Sequence, residues 1–194
     1  IYDNIRAQHR LVTEEFGIST IQLVTGFSMG GLQTFHWAAM FPDMVENFVP
    51  ICATAKCSGH NWLFLESLAV AIGVDPVFDN GNYTQYPHAG MNAFNTIYSG
   101  WAFSQEFFRQ NGHEKFGLES YKKMPDAFDE RLGPKEPNDI LIHIRAWQNA
   151  DISNNALYNG DFKSALKSIT AKGFIMPTST DQYFWSDDNR DEAS

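Results

Sequence analysis

A short apolar run enters a glycine-rich turn at residues 21–31, whose sequence is Ile-Gln-Leu-Val-Thr-Gly-Phe-Ser-Met-Gly-Gly. Short, β-branched runs of this kind are typical of buried strands. Residues 31–40 then carry apolar side chains at helical spacing, and Pro42 lies just beyond them. Residues 47–53 have the pattern of a second buried strand. The order strand, tight turn, helix, strand predicts one βαβ unit of a parallel sheet.

The turn itself has the pattern G-x-S-x-G, with Ser28 between Gly26 and Gly30. A nucleophilic serine must stand at the tip of a sharp, strained turn, and small flanking residues let strand and helix approach each other. The helix start then places the Met29 N–H where it can bind the oxyanion of a tetrahedral intermediate. We therefore predict Ser28 as nucleophile and Met29 as oxyanion donor, the alternative being a glycine-rich turn with an idle serine.

The two ends of the chain also have α/β character. Asp3 is placed to cap a helix that runs to about Phe16. Residues 161–170 are amphipathic, and residues 173–177 have the pattern of another strand. A triad acid must follow a later strand at its carboxyl end, and Asp181 meets this requirement. We predict Asp181 as the acid, with Asp187 and Asp188 as its competitors.

Between these ends the pattern changes. From about residue 57 to residue 160 the sequence shows helical patterns and no convincing strand. This span contains a loop rich in Asn, Gly, Tyr and Pro, and aromatic side chains are concentrated at residues 94–108. The span is too long for a loop. We predict a partial α/β domain over 1–194, with core segments 1–56 and 161–194 and a helical lid insertion at about 57–160. The aromatic residues line a substrate tunnel in this interpretation, or else form the lid's own core.

Composition excludes several classes of function. Apolar residues make up 43% and charged residues 19% of the chain, which is not the composition of a disordered protein. The net charge of −9 disfavours nucleic acid and anionic membranes as partners. No apolar run approaches the ~20 residues that a membrane span needs. The two cysteines exclude a disulfide scaffold, and we expect no metal site and a cytoplasmic location.

The general base is missing from the expected place. Where a G-x-S-x-G serine stands between a strand and a helix, the catalytic residues follow the chain order serine, acid, histidine. All six histidines of this chain, however, precede Asp181. The chain begins with Ile1 rather than methionine. We therefore expect a piece of a longer domain of ~250 residues or more, with the first strands and the catalytic histidine outside it.

Beyond the turn, a series of short motifs follows in order along the chain. It comprises Trp37-Ala38, Phe41-Pro42, Ala53-Thr54-Ala55, Asp75-Pro76, Gly81-Asn82-Tyr83, Gly90-Met91, Arg145-Ala146-Trp147, Asp151-Ile152-Ser153 and the strand before Asp181. With Gly26 to Leu32, these motifs resemble the homoserine O-acetyltransferase group of α/β-hydrolases. The resemblance covers most of the chain and is more specific than the turn alone.

The resemblance implies an α/β-hydrolase fold, a mostly parallel sheet flanked by helices, with a helical lid. It also implies a Ser-Asp-His triad that moves an acyl group from acyl-CoA to a hydroxyl through an acyl-serine, with Ser28 and Asp181 in the first two roles. We expect Phe27, Asn95, Tyr98 and Trp101 to line the substrate site. We expect no bound cofactor, acyl-CoA as a possible co-substrate, small-molecule donor and acceptor as partners, and possibly a homodimer.

One departure from the family pattern bears on the reaction. The acetyltransferases carry an arginine that helps to hold the amino-acid acceptor, and Asn95 occupies that place here. An amide cannot replace the bidentate charge of a guanidinium on a carboxylate. We therefore expect an acceptor other than homoserine, or one that is held otherwise. The resemblance favours an acyltransferase, and the missing arginine supports hydrolysis of a small ester or thioester as the alternative enzyme activity. A non-catalytic binding relative is the alternative from another class.

Overall fold

The computed structural model describes residues 1–132 and 135–194. The chain divides into two compact units. The sheet unit consists of residues 1–58, 149–179 and 184–194, and the helical unit of residues 59–148 and 180–183. Among the described residues, none of the helices combines the length and the apolar character that a bilayer crossing requires.

The sheet unit contains three parallel strands, β1 (Val24–Phe27), β2 (Asn47–Ile51) and β3 (Lys172–Gly173), in the order β1-β2-β3. The parallel sheet predicted from the sequence is thus confirmed, but the strand limits differ. The first ladder begins at Val24 rather than Ile21, which forms only an isolated bridge with Val45. The third strand pairs over two residues, and a single bridge between Ile51 and Met176 extends it.

Four helices accompany the sheet: α1 (Tyr2–Arg10), α2 (Met29–Met40), α8 (Phe162–Lys167) and α9 (Ser186–Glu192). A π-helical segment, Leu11–Glu15, prolongs α1. The prediction that Asp3 caps α1 is wrong, because the helix begins at Tyr2 and Asp3 lies in its first turn. The helix α2 packs on β1 and β2 and is buried on almost every side, which explains its apolar sequence. Its Phe35, Ala38 and Ala39 are central to the core.

The helical unit contains α3 (Gly59–Gly73), α4 (His88–Trp101), α5 (Gln105–Arg109), α6 (Met124–Leu132) and α7 (Pro137–Gln148). The helix α3 packs against α4 and α7, and α4 also packs against α6. The loop before α4 is held by Asp75, whose carboxylate accepts the N–H groups of Gly90 at 2.8 Å and Val77 at 2.9 Å. These bonds lower the pKa of Asp75.

Residues 149–160, which the sequence groups with the insertion, pack with the sheet unit in the structure. Lys56 and Asp151 form an isolated antiparallel bridge there. Their side chains also pair, with 2.8 Å between Nζ and Oδ2. The backbone N–H of Ile152 adds a 3.2 Å bond to the carbonyl of Ala55. The chain thus returns to the sheet unit immediately after α7.

Candidate active site

Ser28 occupies the single position between the end of β1 and the start of α2. Its backbone has φ 55° and ψ −120°, a conformation that side-chain-bearing residues rarely adopt and that costs of order 1–3 kcal/mol. Its carbonyl accepts the N–H groups of Gly31 at 2.8 Å and Leu32 at 3.1 Å, which begins the helix. Its hydroxyl does not cap that helix. The strained turn thus presents a half-buried hydroxyl that the helix does not use.

Two glycines make this turn possible. A Cβ on Gly26 would overlap the backbone of Gly30, and a Cβ on Gly31 would overlap the Cβ of Ala53. A Cβ on Gly30 would meet no atom within 4 Å among the described residues. The sequence pattern predicts that both positions flanking the serine need a small residue. This prediction is correct for Gly26 and wrong for Gly30. Gly31, outside the five-residue pattern, is the second position where close approach requires glycine.

One peptide group links this turn to the end of the third strand. The carbonyl of Ile51 accepts the N–H of Ser28 at 2.9 Å, and the N–H of Cys52 donates to the carbonyl of Met176 at 2.9 Å. Both groups belong to the peptide that joins Ile51 to Cys52. Cys52 has φ 48°, which ends the strand that the sequence predicts to continue to Ala53.

Met29 is the first residue of α2, so its N–H has no acceptor within the helix. This placement beside Ser28 fits a donor to an oxyanion. Phe27, the last residue of β1, is 67% exposed. Phe27, Ser28 and Met29 all belong to the sheet unit.

Asp181 belongs to the helical unit, in the four-residue segment 180–183. Its Oδ1 accepts the backbone N–H of Tyr183 at 2.8 Å. The segment begins four residues after Met176, the last residue bridged to β2. Asp181 thus follows the third strand along the chain, and its role as the triad acid stays a prediction.

The other predicted substrate residues lie on α4 in the helical unit. Trp101 stacks on Phe64 with ring centroids 4.7 Å apart, and Tyr98 contacts Phe94, Phe64 and Phe128 at 5.1–5.8 Å. Burial raises the pKa of Tyr98. These side chains therefore take part in the aromatic core of the helical unit.

Asn95 is 2% exposed and lies in a polar network. Its Nδ2 donates to Asp129 Oδ1 at 3.0 Å, and its Oδ1 accepts from Lys135 Nζ at 3.2 Å. Lys135 also contacts Asp129 at 2.8 Å and, with Asn95, lowers the pKa of that carboxyl group. Sequence reasoning missed Asp129 and Lys135, which no local pattern connects to Asn95.

Two further titratable groups of the sheet unit, His36 and Cys57, do not suit the chemistry. His36 is buried, with Nδ1 2.8 Å from the carbonyl oxygen of Leu32, and burial lowers its pKa. Burial also raises the pKa of the Cys57 thiol to about 11, which disfavours a thiolate nucleophile. Across the described residues, no group of three or more His, Cys, Asp or Glu side chains is arranged to hold a metal ion.

Comparison with known proteins shows which enzymes the chain is similar to. No protein-family profile matches it. It is 40% identical to an ethyl acetate hydrolase of Pseudomonas veronii, over 97% of this chain and 54% of that protein. It is 31% identical to a homoserine O-acetyltransferase of Nostoc punctiforme, over 93% of this chain and 53% of that protein. The chain thus spans about half the length of these curated relatives.

The comparison with solved structures also finds an ester-cleaving enzyme. The acetyl esterase MekB superposes with a TM-score of 0.93 at 40% identity, over 98% of this chain and 56% of that one. The parallel sheet, the strand–serine–helix turn and these similarities lead to one conclusion. The chain is homologous to about half of an esterase and of a homoserine O-acetyltransferase, and it has the fold of α/β-hydrolase enzymes.

Proposed function

We propose that the protein is a serine esterase that hydrolyses small esters through an acyl-serine on Ser28. The observation that carries the proposal is the backbone of Ser28, held at φ 55° between β1 and α2 with its hydroxyl unused by the helix. The ethyl acetate hydrolase and the acetyl esterase, each 40% identical to this chain, support ester cleavage over the acyl-CoA-dependent transfer that the sequence favours.

In this mechanism the Ser28 oxygen attacks the ester carbonyl while a histidine takes its proton. That histidine would come from outside residues 1–194. The Met29 N–H and a second donor bind the oxyanion. The imidazolium then gives its proton to the departing alcohol, and a water molecule clears the acyl-serine by the same two steps. Asp181 holds the imidazole in the required tautomer and stabilises its charged form.

The substrate class in this proposal is an ester with a short acyl group and a small alcohol. Phe27, Tyr98 and Trp101 would supply apolar contact, since most small-molecule sites are lined mainly by such side chains. We also propose a cytoplasmic location, a lid function for the helical unit and assembly as a homodimer.

Acyl transfer to a hydroxyl is the second candidate, supported by the homoserine O-acetyltransferase that is 31% identical. The two reactions share the acyl-serine and differ in whether an alcohol or water removes the acyl group. The lack of an arginine at the position of Asn95 disfavours an amino-acid acceptor.

The test uses the full-length protein, its Ser28→Ala variant and a fluorophosphonate probe. We expect the probe to label the wild-type protein on Ser28 and not the variant, and we expect p-nitrophenyl acetate hydrolysis to fall at least about 10³-fold in the variant. A folded wild-type protein that is not labelled would contradict the proposal and favour a binding role. If a hydroxyl acceptor increases the turnover of acetyl-CoA beyond the rate in water, the acyltransferase is correct instead.

A further inference from the structure

The segment that carries the proposed triad acid packs against the helical unit through the ring of Tyr183. Residues 180–183 pack with that unit, whereas Ser179 before them and Phe184 after them belong to the sheet unit. Within the segment, the ring of Tyr183 makes the aromatic contacts. The position of this ring therefore helps to determine where residues 180–183 lie against the helical unit.

The Tyr183 ring lies among residues of three helices. Its centroid is 5.0 Å from that of Phe64 on α3, 5.6 Å from Trp147 on α7 and 6.3 Å from Tyr98 on α4. The Trp147 contact is edge-to-face, a favourable geometry for aromatic pairs. Phe64 and Trp147 are themselves buried, so the ring meets a packed surface. Burial also raises the pKa of Tyr183 far above its usual value.

The same residue holds the carboxylate directly. The backbone N–H of Tyr183 donates to Asp181 Oδ1 at 2.8 Å. An aspartate that accepts the N–H two residues further on forms a local turn, which fixes the direction of its carboxylate relative to that backbone. The ring thus fixes the backbone of residue 183, and this backbone fixes the carboxylate.

We propose that Tyr183 is a positioning residue for Asp181 in the esterase reaction, an inference that rests on the proposed function. Without the ring, the segment loses these aromatic contacts, and the Asp181 carboxylate is held less firmly for its bond to the imidazole. A misplaced carboxylate stabilises the imidazolium less, which lowers both the rate of the chemical step and the pKa of the histidine.

The experiment measures kcat, KM and the pH profile of p-nitrophenyl acetate hydrolysis by the full-length protein. We expect Tyr183→Leu to lower kcat about 10- to 100-fold with KM changed less than about threefold. We expect the acid limb of the kcat/KM profile to move to lower pH. Tyr183→Phe retains the ring contacts, and we expect its kcat to be much closer to that of the wild-type protein than the kcat of Tyr183→Leu. Tyr121→Leu, which alters an exposed tyrosine of the same unit, is the matched control.

A double-mutant cycle with Asp181→Asn tests whether Tyr183 acts through Asp181. Both changes would remove the same function, the support of the imidazole by the Asp181 carboxylate. In the Asp181→Asn background we therefore expect Tyr183→Leu to lower kcat by less than about twofold. Full multiplicative loss, a change in KM alone or an unmoved pH profile would overturn the inference. If Tyr183→Leu does not fold, Tyr183→Met, which fills the space with a flexible side chain, replaces it in the cycle.

The labelling experiment separates this inference from the proposed function. If the wild-type protein lacks Ser28 labelling and esterase activity, the proposed function fails and the inference fails with it. If Ser28 is labelled and the Tyr183 and Asp181 effects multiply independently, the esterase stands and only the positioning role is wrong.

Discussion

The N–H of Ser28 donates a 2.9 Å hydrogen bond to the carbonyl of Ile51. Phe27 is already paired with Ile51 in the parallel ladder, so Ser28 keeps contact with the sheet although its own backbone has left the β region. The carbonyl of the same residue accepts the N–H groups of Gly31 and Leu32 and so begins the helix. A whole change of direction therefore takes place within one residue, which is why the hydroxyl stands at the tip.

The two glycines of the G-x-S-x-G pattern should respond oppositely to alanine. In Gly26→Ala the new methyl group would overlap the backbone of Gly30, and we expect a loss of ~1–3 kcal/mol in the free energy of unfolding. In Gly30→Ala the methyl group meets no atom of the described residues within 4 Å outside its own helix, and alanine favours helix by up to ~1 kcal/mol. Denaturant unfolding of both variants tests this. Equal destabilisation by the two changes would contradict the geometry.

Cys52 should tolerate alanine better than a β-branched residue. Its φ of 48° is a conformation that a second substituent on Cβ makes costlier. Both Cys52→Ala and Cys52→Val remove the thiol, so their difference reflects backbone strain and the packing of the larger side chain. We expect Cys52→Val to be less stable than Cys52→Ala by ~1 kcal/mol. Thermal unfolding measures the difference, and a more stable valine variant would show that burial of the larger side chain outweighs strain.

The features predicted correctly from the sequence are local ones. The strand, serine turn and helix of residues 24–40 follow from apolar spacing and from the glycines, all within one short segment. Features that depend on distant partners were missed. The end of β2 at Ile51 depends on the left-handed conformation of Cys52, which no local pattern indicates. The Asn95 network joins side chains 34 and 40 residues apart.

The same distinction applies to the candidate site. The roles of Ser28 and Asp181 stay predictions, and they rest on strand ends, which can be located from sequence. The anchoring of Tyr183 could not be predicted in this way, because Phe64 and Trp147 reach it from helices more than 35 residues away along the chain. Aromatic residues in a sequence indicate a packed region, but their partners appear only when the helices are in place.

Asn95 should contribute to stability through its two bonds. Asn95→Leu leaves Asp129 and the enclosed ammonium of Lys135 without the amide, and we expect a cost of ~1–3 kcal/mol in the free energy of unfolding. Asn92 is an exposed asparagine of the same helix, and Asn92→Leu should change stability by less than ~0.5 kcal/mol. Urea unfolding compares the two. A KM increase above about tenfold in Asn95→Leu at unchanged stability would instead indicate substrate contact.

The last prediction concerns Glu192 near the end of α9. Its Oε1 accepts the N–H of Ala55 at 2.6 Å, and its Oε2 accepts from Asn189 at 2.7 Å. Burial raises the pKa of Glu192 to about 7 in spite of these bonds, and the neighbouring carboxylates of Asp188 and Asp191 add to the shift. The folded protein therefore binds a proton here at pH values where the unfolded chain, with an ordinary pKa of 4.5, has released it.

A raised pKa gives stability that is fully present below pH 4.5 and is lost as the pH rises through about 7. Glu192→Gln keeps an oxygen that can accept the Ala55 N–H but cannot ionise. We expect the stability of the wild-type protein to fall relative to Glu192→Gln by on the order of 1–3 kcal/mol across this interval. Urea unfolding at several pH values measures the difference, and parallel curves for the two proteins would show that Glu192 titrates normally in the folded state.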